Sequence, residues 1–445
     1  MSENLIIEAA SIVTMNTDRE VLKKASIAVV GEEIAALGEP SEIRKHYPDA
    51  RVIDGAGKVV LPGFINSHTH ISMSLQKGLT LAIPDGIYRV MWPVEKALTK
   101  EDVYTGALIG GAEALLNGAT SIVDHYFHME HIAQATTQLG LRGFLGHTIM
   151  SRLGPITGEK ELKNGIDFVG KWNGRHPLVT PMLAPHASDT VKPEWFEILI
   201  AEAERQDVRI HMHLAQSTRE RDYINETYGM GCVEFMDDLG LLDAKLLAAH
   251  CIFIGDSEIE KLAKSGANPI YCPMVHATSG RPMEAWKLHE KGANLLIGTD
   301  SVCNNNVMDI TGELRIAGAS QKQLNDDGQA MPSLSILEAV TVNPAKALGV
   351  GDRLGTLAPG FLADLILLDM SGLHAAPNYS LIDNIIYTCT GRDIELVMVN
   401  GEILVEDGRL LTADEEELAQ MAQDTGSALI RRAVDNDPEL AWIWA

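Results

Sequence analysis

His68 and His70 stand two residues apart just beyond the apolar run 59–65. On an extended chain, side chains two apart share a face, so both imidazoles can be offered to one cation. His213 and Asp300, each at the end of another apolar run, can complete the set. Three imidazoles and a carboxylate suit zinc, and iron, cobalt, nickel or manganese accept the same donors. Such an ion lowers the pKa of water from about 15.7 toward about 7, so this donor set predicts a hydrolase. His211 lies two before His213 and shares its face, and spacing does not choose between them. The stretch 178–186 holds no lysine that could be carbamylated to bridge a second ion. One divalent metal per chain is therefore expected.

These residues need a scaffold that brings distant strand ends together. From residue 59, short apolar runs alternate with amphipathic stretches such as 193–204 and 256–264. The runs are 59–65, 120–123, 142–145, 178–183, 208–214, 246–251, 268–271 and 293–297. Nearly continuous apolar runs separated by helices indicate parallel strands covered on their outer side. Eight such units fit an α/β fold, a (β/α)₈ TIM-like barrel, whose functional residues sit at the carboxyl ends of the strands. Those ends carry His68 and His70, His147, His186, His213, His250 and Asp300, which are expected to converge on one rim. An isolated histidine is ordinarily a hydrogen-bonded core residue; a set repeated at successive strand ends is not.

The flanks read differently. Residues 4–60 alternate β-branched and polar positions, punctuated by glycine. The same texture returns after a helix around 335–348, with Asn400-Gly401 as a hairpin signal between apolar runs. The expected organisation is a composite β-sandwich from 1–58 and 357–411, a barrel over 59–356, and a C-terminal helix and tail over 412–445. Asp414-Glu-Glu-Glu417 reads as the solvated first turn of that helix. The tail tryptophans Trp442 and Trp444 fit a contact in a homo-oligomer, which is expected, or docking on the chain's own surface.

With 36 basic against 61 acidic residues, the net charge is −25, which argues against a nucleic-acid or anionic-membrane partner. Five scattered cysteines without C-x-x-C spacing fit free thiols in a reducing, cytoplasmic setting, and no secretory signal or spanning segment is visible. Cys303, close in sequence to Asp300, is the one expected near a substrate pocket.

Several motifs fall in a familiar order. Leu61-Pro-Gly-Phe-Ile-Asn-Ser-His-Thr-His70 resembles the first-strand signature of the amidohydrolase superfamily. His211-Met-His-Leu-Ala215, Ala249-His-Cys251, Gly298-Thr-Asp-Ser301 and Leu357-Ala-Pro-Gly-Phe-Leu-Ala-Asp364 are similar to its later landmarks. Val123-Asp-His-Tyr-Phe-His128 and Trp92-Pro-Val-Glu95 resemble the nucleoside deaminases of its ATZ/TRZ branch, which also holds triazine hydrolases. The resemblance implies His68, His70, His213 and Asp300 as metal ligands, with Asp300 also taking the proton of the attacking water. It implies His250 and the residue at 216 in catalysis and His186 beside the substrate, where His128 and Cys303 are also expected.

The chain departs from the branch at three places. Gln216 stands where a proton-shuttling glutamate is expected, and an amide is no general acid at neutral pH. Cys272-Pro-Met-Val-His276 replaces an Asn-Pro-x-Ser-Asn pattern, and Pro84-Asp-Gly-Ile-Tyr88 lacks an expected tryptophan. The expected function is a metal-dependent aminohydrolase of a purine-, pyrimidine- or triazine-like heterocycle. Gln216 leaves two alternatives: a hydrolase expelling halide or thiolate, and an inactive binder of a small molecule.

Overall fold

The computed structural model describes residues 4–81, 83, 85–243 and 245–444. Pro84 and the side chain of Trp444 lie outside the described residues. Among those described, eight parallel strands form one sheet in sequential order: Phe64–Thr69, Ala119–Tyr126, Arg142–Ile149, Val179–Pro185, Ile210–Leu214, Leu246–His250, Asn268–Tyr271 and Leu296–Ile297. The chain rolls this sheet into a barrel whose seam joins the first and eighth strands. There Asp300 N–H donates to the His68 carbonyl at 2.9 Å, and Asn66 exchanges hydrogen bonds with Thr299. Gly298 makes the approach possible, since a Cβ there would lie 2.5 Å from the His68 nitrogen.

Strand alternation explains the packing. Ile65, Val123, Phe144, Met182, Leu247, Ala249, Ile270 and Leu296 share one apolar cluster inside the barrel. Phe64, Ile122, Leu145, Leu183, Ile210, Leu246 and Ile297 belong instead to the cluster that includes the outer helices. Large buried side chains on both faces are what a fully covered parallel sheet requires.

The first apolar run divides at Gly63. Lys58–Pro62 pairs with strands Leu5–Val13 and Leu365–Asp369, whereas Phe64–Thr69 enters the barrel. Among the described residues, the two chain ends thus build a nine-stranded mixed sheet, and its strands contribute to a core of their own, with Ile7, Ile27, Val60, Leu365 and Met398. Where a sandwich is expected, the described strands form one continuous hydrogen-bonded sheet. Arg142, on a barrel strand, donates two hydrogen bonds to Asp364 at 2.8 and 2.9 Å and links the two parts.

The C-terminal helix Glu415–Asn436 begins at Asp414, whose carboxylate accepts from the backbone of Glu416 and Glu417. Its Arg432 pairs with Asp102 on the helix Lys100–Leu116. Leu429, Ile430 and Leu440 pack with Leu75, Val90 and Val94, so the tail supports the segment that follows the first barrel strand. No described helix is long and apolar enough to cross a membrane.

Candidate metal centre and substrate cavity

The carboxyl ends of the strands open into a cavity of about 450 Å³, within the ordinary range of small-molecule sites. His70, His213, His250 and Asp300 line it, and His68 lies fully buried beneath. A register shift between Asn66 and Thr69 resets the strand alternation before His68 and His70. Asp124 then fixes their turn, its carboxylate accepting from Thr69 Oγ1 at 2.9 Å and from Ile71 N–H at 2.7 Å. His250 and Asp300 both sit at positive φ, 80° and 61°, a strained backbone that is characteristic of functional sites.

The ring nitrogens leave little freedom of tautomer. His70 Nδ1 donates to the His125 carbonyl at 2.5 Å, and His213 Nδ1 donates to the His186 carbonyl at 2.9 Å. Both Nε2 atoms therefore carry a free lone pair, and they lie 3.3 Å apart. His68 Nδ1 lies 2.9 Å from His211 Nε2, and its own Nε2 is buried without a hydrogen-bond partner among the described residues. Asp300 Oδ1 is 3.5 Å from His70 Nε2 and 3.7 Å from His68 Nε2. Imidazoles held through one nitrogen, with the other aimed at a shared point beside a carboxylate, fit a divalent metal.

Electrostatics agrees with that fit. Burial lowers the pKa of His68 and His213 well below the ordinary value and that of His70 to about 4, so the rings are neutral donors. Burial pushes Asp300 up to about 7, a cost that a cation at the same point would reverse.

Around this floor stand further sequence-predicted residues. His250 Nε2 is 4.0 Å from Asp300 Oδ2, and its ring stacks on His213 with centroids 5.4 Å apart. His186 lines the cavity, its Nδ1 2.9 Å from Thr190 Oγ1. Gln216 also lines it, and its backbone N–H donates to the buried Glu220 at 2.8 Å.

Three expectations need correction. His147 does not join the rim, because it faces away to Glu161 on the helix Glu159–Trp172, at 2.8 Å. His128 adopts φ 52° as the chain leaves the second strand, and it does not line the cavity. Cys303 is buried behind the wall, where its carbonyl accepts from Thr80 Oγ1 at 2.7 Å; Thr80 is the residue that reaches the cavity.

Sequence reasoning overlooked His125, which is buried against His213 with centroids 4.9 Å apart, and Glu95, whose carboxylate accepts from Tyr126 OH at 2.8 Å. Both line the cavity. Alternation from the inward-facing Val123 points to His125 rather than His128. Burial raises Glu95 to about 7.

A barrel with this histidine-rich mouth defines a metal-site hydrolase, and comparison with known proteins gives the family. A model described as "Amidohydrolase family" matches residues 59–404, and the chain belongs to that family. It is 34% identical over 436 residues to a 5'-deoxyadenosine deaminase of Methanosarcina mazei, covering 96% of this chain and 99% of that one. It is 33% identical over 437 residues to a 5-methylthioadenosine/S-adenosylhomocysteine deaminase of Caldanaerobacter subterraneus subsp. tengcongensis, again covering 96% and 99%. Among solved structures, an adenosine deaminase from Xanthomonas campestris with bound zinc superposes with a TM-score of 0.92 at 28% identity, covering 96% and 98%. An atrazine chlorohydrolase from Arthrobacter aurescens complexed with zinc shares the fold, with a TM-score of 0.85 at 23% identity and coverage of 95% and 100%. The chain is a hydrolase acting on C–N bonds.

Proposed function

We propose that this protein deaminates an adenosine derivative modified at its 5' position, using one divalent metal, with zinc the best fit. The carrying observation is the pair of free Nε2 atoms on His70 and His213, facing the unpartnered Nε2 of His68 and the Asp300 carboxylate. His68, His70, His213 and Asp300 would hold the ion. When bound, it supplies hydroxide from water at neutral pH. Asp300 accepts the attacking water's proton, and His250 stabilises charge that develops on the ring. His186 and Gln216 hold the heterocycle by hydrogen bonds. The deaminases named above support the substrate class, and with an amide at position 216 the proton that Asp300 takes from water would pass to the departing amine, which leaves as ammonia.

Ammonia release from adenosine, 5'-deoxyadenosine, methylthioadenosine and S-adenosylhomocysteine tests this reading, run beside 6-chloro and 6-thio purine nucleosides. Turnover of at least one amine is expected, and Gln216→Glu should speed that reaction or leave it nearly unchanged. Turnover confined to the chloro or thio compounds moves the assignment to the halide- or thiolate-expelling alternative. A wild type inactive on all of them, with activity gained in Gln216→Glu, identifies a binder instead.

A further inference from the structure

Cys272-Pro-Met-Val-His276 was the second departure from the branch, and its histidine has a partner. His276 sits on the short helix Pro273–Thr278 and lines the cavity, although only 1% of its surface is exposed. Its Nε2 lies 3.2 Å from His250 Nδ1, on the side of that ring opposite Asp300. The helix is itself anchored. Met274 N–H donates to Glu313 Oε2 at 2.9 Å, and Glu313 Oε1 accepts from Asn305 Nδ2 at 2.7 Å. Asn305 Nδ2 also donates to the Thr299 carbonyl at 2.7 Å, one residue before Asp300. These bonds tie the helix that carries His276 to the Thr299 backbone beside Asp300, so one hydrogen-bonded set reaches from the end of the eighth strand to the His250 ring, whose Nε2 lies 4.0 Å from Asp300 Oδ2.

We infer that His276 is a positioning residue for hydrolysis: it holds the His250 ring by Nδ1, so that Nε2 stays aimed at Asp300 and the reacting carbon. The inference rests on the hydrolytic reading for its kinetic consequence but not for its geometry. His250 sits at positive φ at a strand end, and the contact with His276 is what holds its ring from the Nδ1 side. Glutamine can place an amide nitrogen where histidine has Nε2, whereas asparagine reaches only as far as Nδ1. The variants therefore separate this bond from general packing.

The experiment compares His276→Ala, His276→Gln and His276→Asn by steady-state kinetics, elemental analysis and crystallography. His276→Ala is expected to lower kcat about 10–100-fold, the usual effect of removing such a supporting bond, with KM within about threefold and metal content unchanged. His276→Gln should recover most of the loss and His276→Asn little. In the crystal structure of His276→Ala, the His250 ring should rotate or lose its single orientation, a result that needs no substrate. An unmoved His250 ring overturns the inference whatever the enzyme acts on, as does equal rescue by asparagine. Two ions per wild-type chain, with one lost in every His276 variant, overturns it in favour of a metal held by His250, Cys272 and His276. Absence of any turnover with a displaced ring removes the proposed substrate and leaves the positioning role standing.

Discussion

At the floor of the cavity, two imidazoles are tied by Nδ1 to backbone carbonyls and a third to another ring, all in nearly complete burial. At the rim, Arg219 lies over Tyr88 at 4.7 Å and Arg281 over Phe253 at 5.7 Å, both arginines exposed, the first in the opening turn of the helix Thr218–Tyr228 and the second on a loop. The floor spends hydrogen bonds on fixing a ring's tautomer and direction; the rim relies on cation–π contacts that tolerate sliding. A rigid floor suits chemistry common to many substrates, and an adaptable rim suits discrimination among them. Gln216 and His276 lie between, on the wall, and there this chain departs from its branch.

The sharpest way to break this contrast is at Asp300. Asp300→Asn is expected to lower kcat by about 10²–10⁴-fold, the range for removing a positioned acid–base group, and to reduce the metal below the roughly one ion per chain expected of wild type. Kinetics with elemental analysis measures both, and two tightly held ions in wild type would end the mononuclear reading.

Glu95 tests the wall through pH. Its carboxyl is raised to about 7, so the folded protein keeps a proton that the unfolded chain has already released. Stability must then fall as pH rises from about 4.5 through 7, by up to about 3 kcal/mol for a group so buried. Denaturant titrations should show that decline in wild type and a flatter profile in Glu95→Gln; parallel profiles would place the shift elsewhere.

At the floor, His211→Ala removes the ring beside His68 Nδ1 and should weaken metal retention about 10–100-fold in competition with a chelator. Unchanged retention would show that His68 needs no such support. The smallest effect belongs to the rim. Arg281→Ala forfeits about 0.5–1 kcal/mol of exposed cation–π contact, so kcat/KM should change less than about fivefold and the melting temperature hardly at all. A larger loss would mean that the rim grips substrate directly.

The barrel was legible because its strands are apolar on both faces and stand out against the amphipathic helices between them. His213 and His186 were legible for a related reason: each sits at the end of such a run, and both reach the cavity. His147 sits at a strand end as well, yet it faces Glu161, and only a three-dimensional partner reveals that. Strand periodicity would turn His250 outward, since Leu247 and Ala249 point in; its positive φ reverses the direction, and no sequence rule announces it. The split of the first run was hidden because both halves are equally apolar, and the change of sheet happens within the single residue Gly63.

The seam between the first and eighth strands has a bearing on how the chain becomes an enzyme at all. Asn66 and Thr299 clasp one another across 233 positions, and the residues proposed to hold the ion come from both sides of that clasp. During synthesis, the first two histidines emerge long before the aspartate that completes their set. A partly made chain can therefore gather imidazoles but cannot finish the centre, and chemistry is withheld until the last strand arrives. An ion seated there would also close a very long loop, a constraint whose benefit grows with the logarithm of loop length. Metal retention is then a proofreading mark of topology, reporting that the ring of strands has shut.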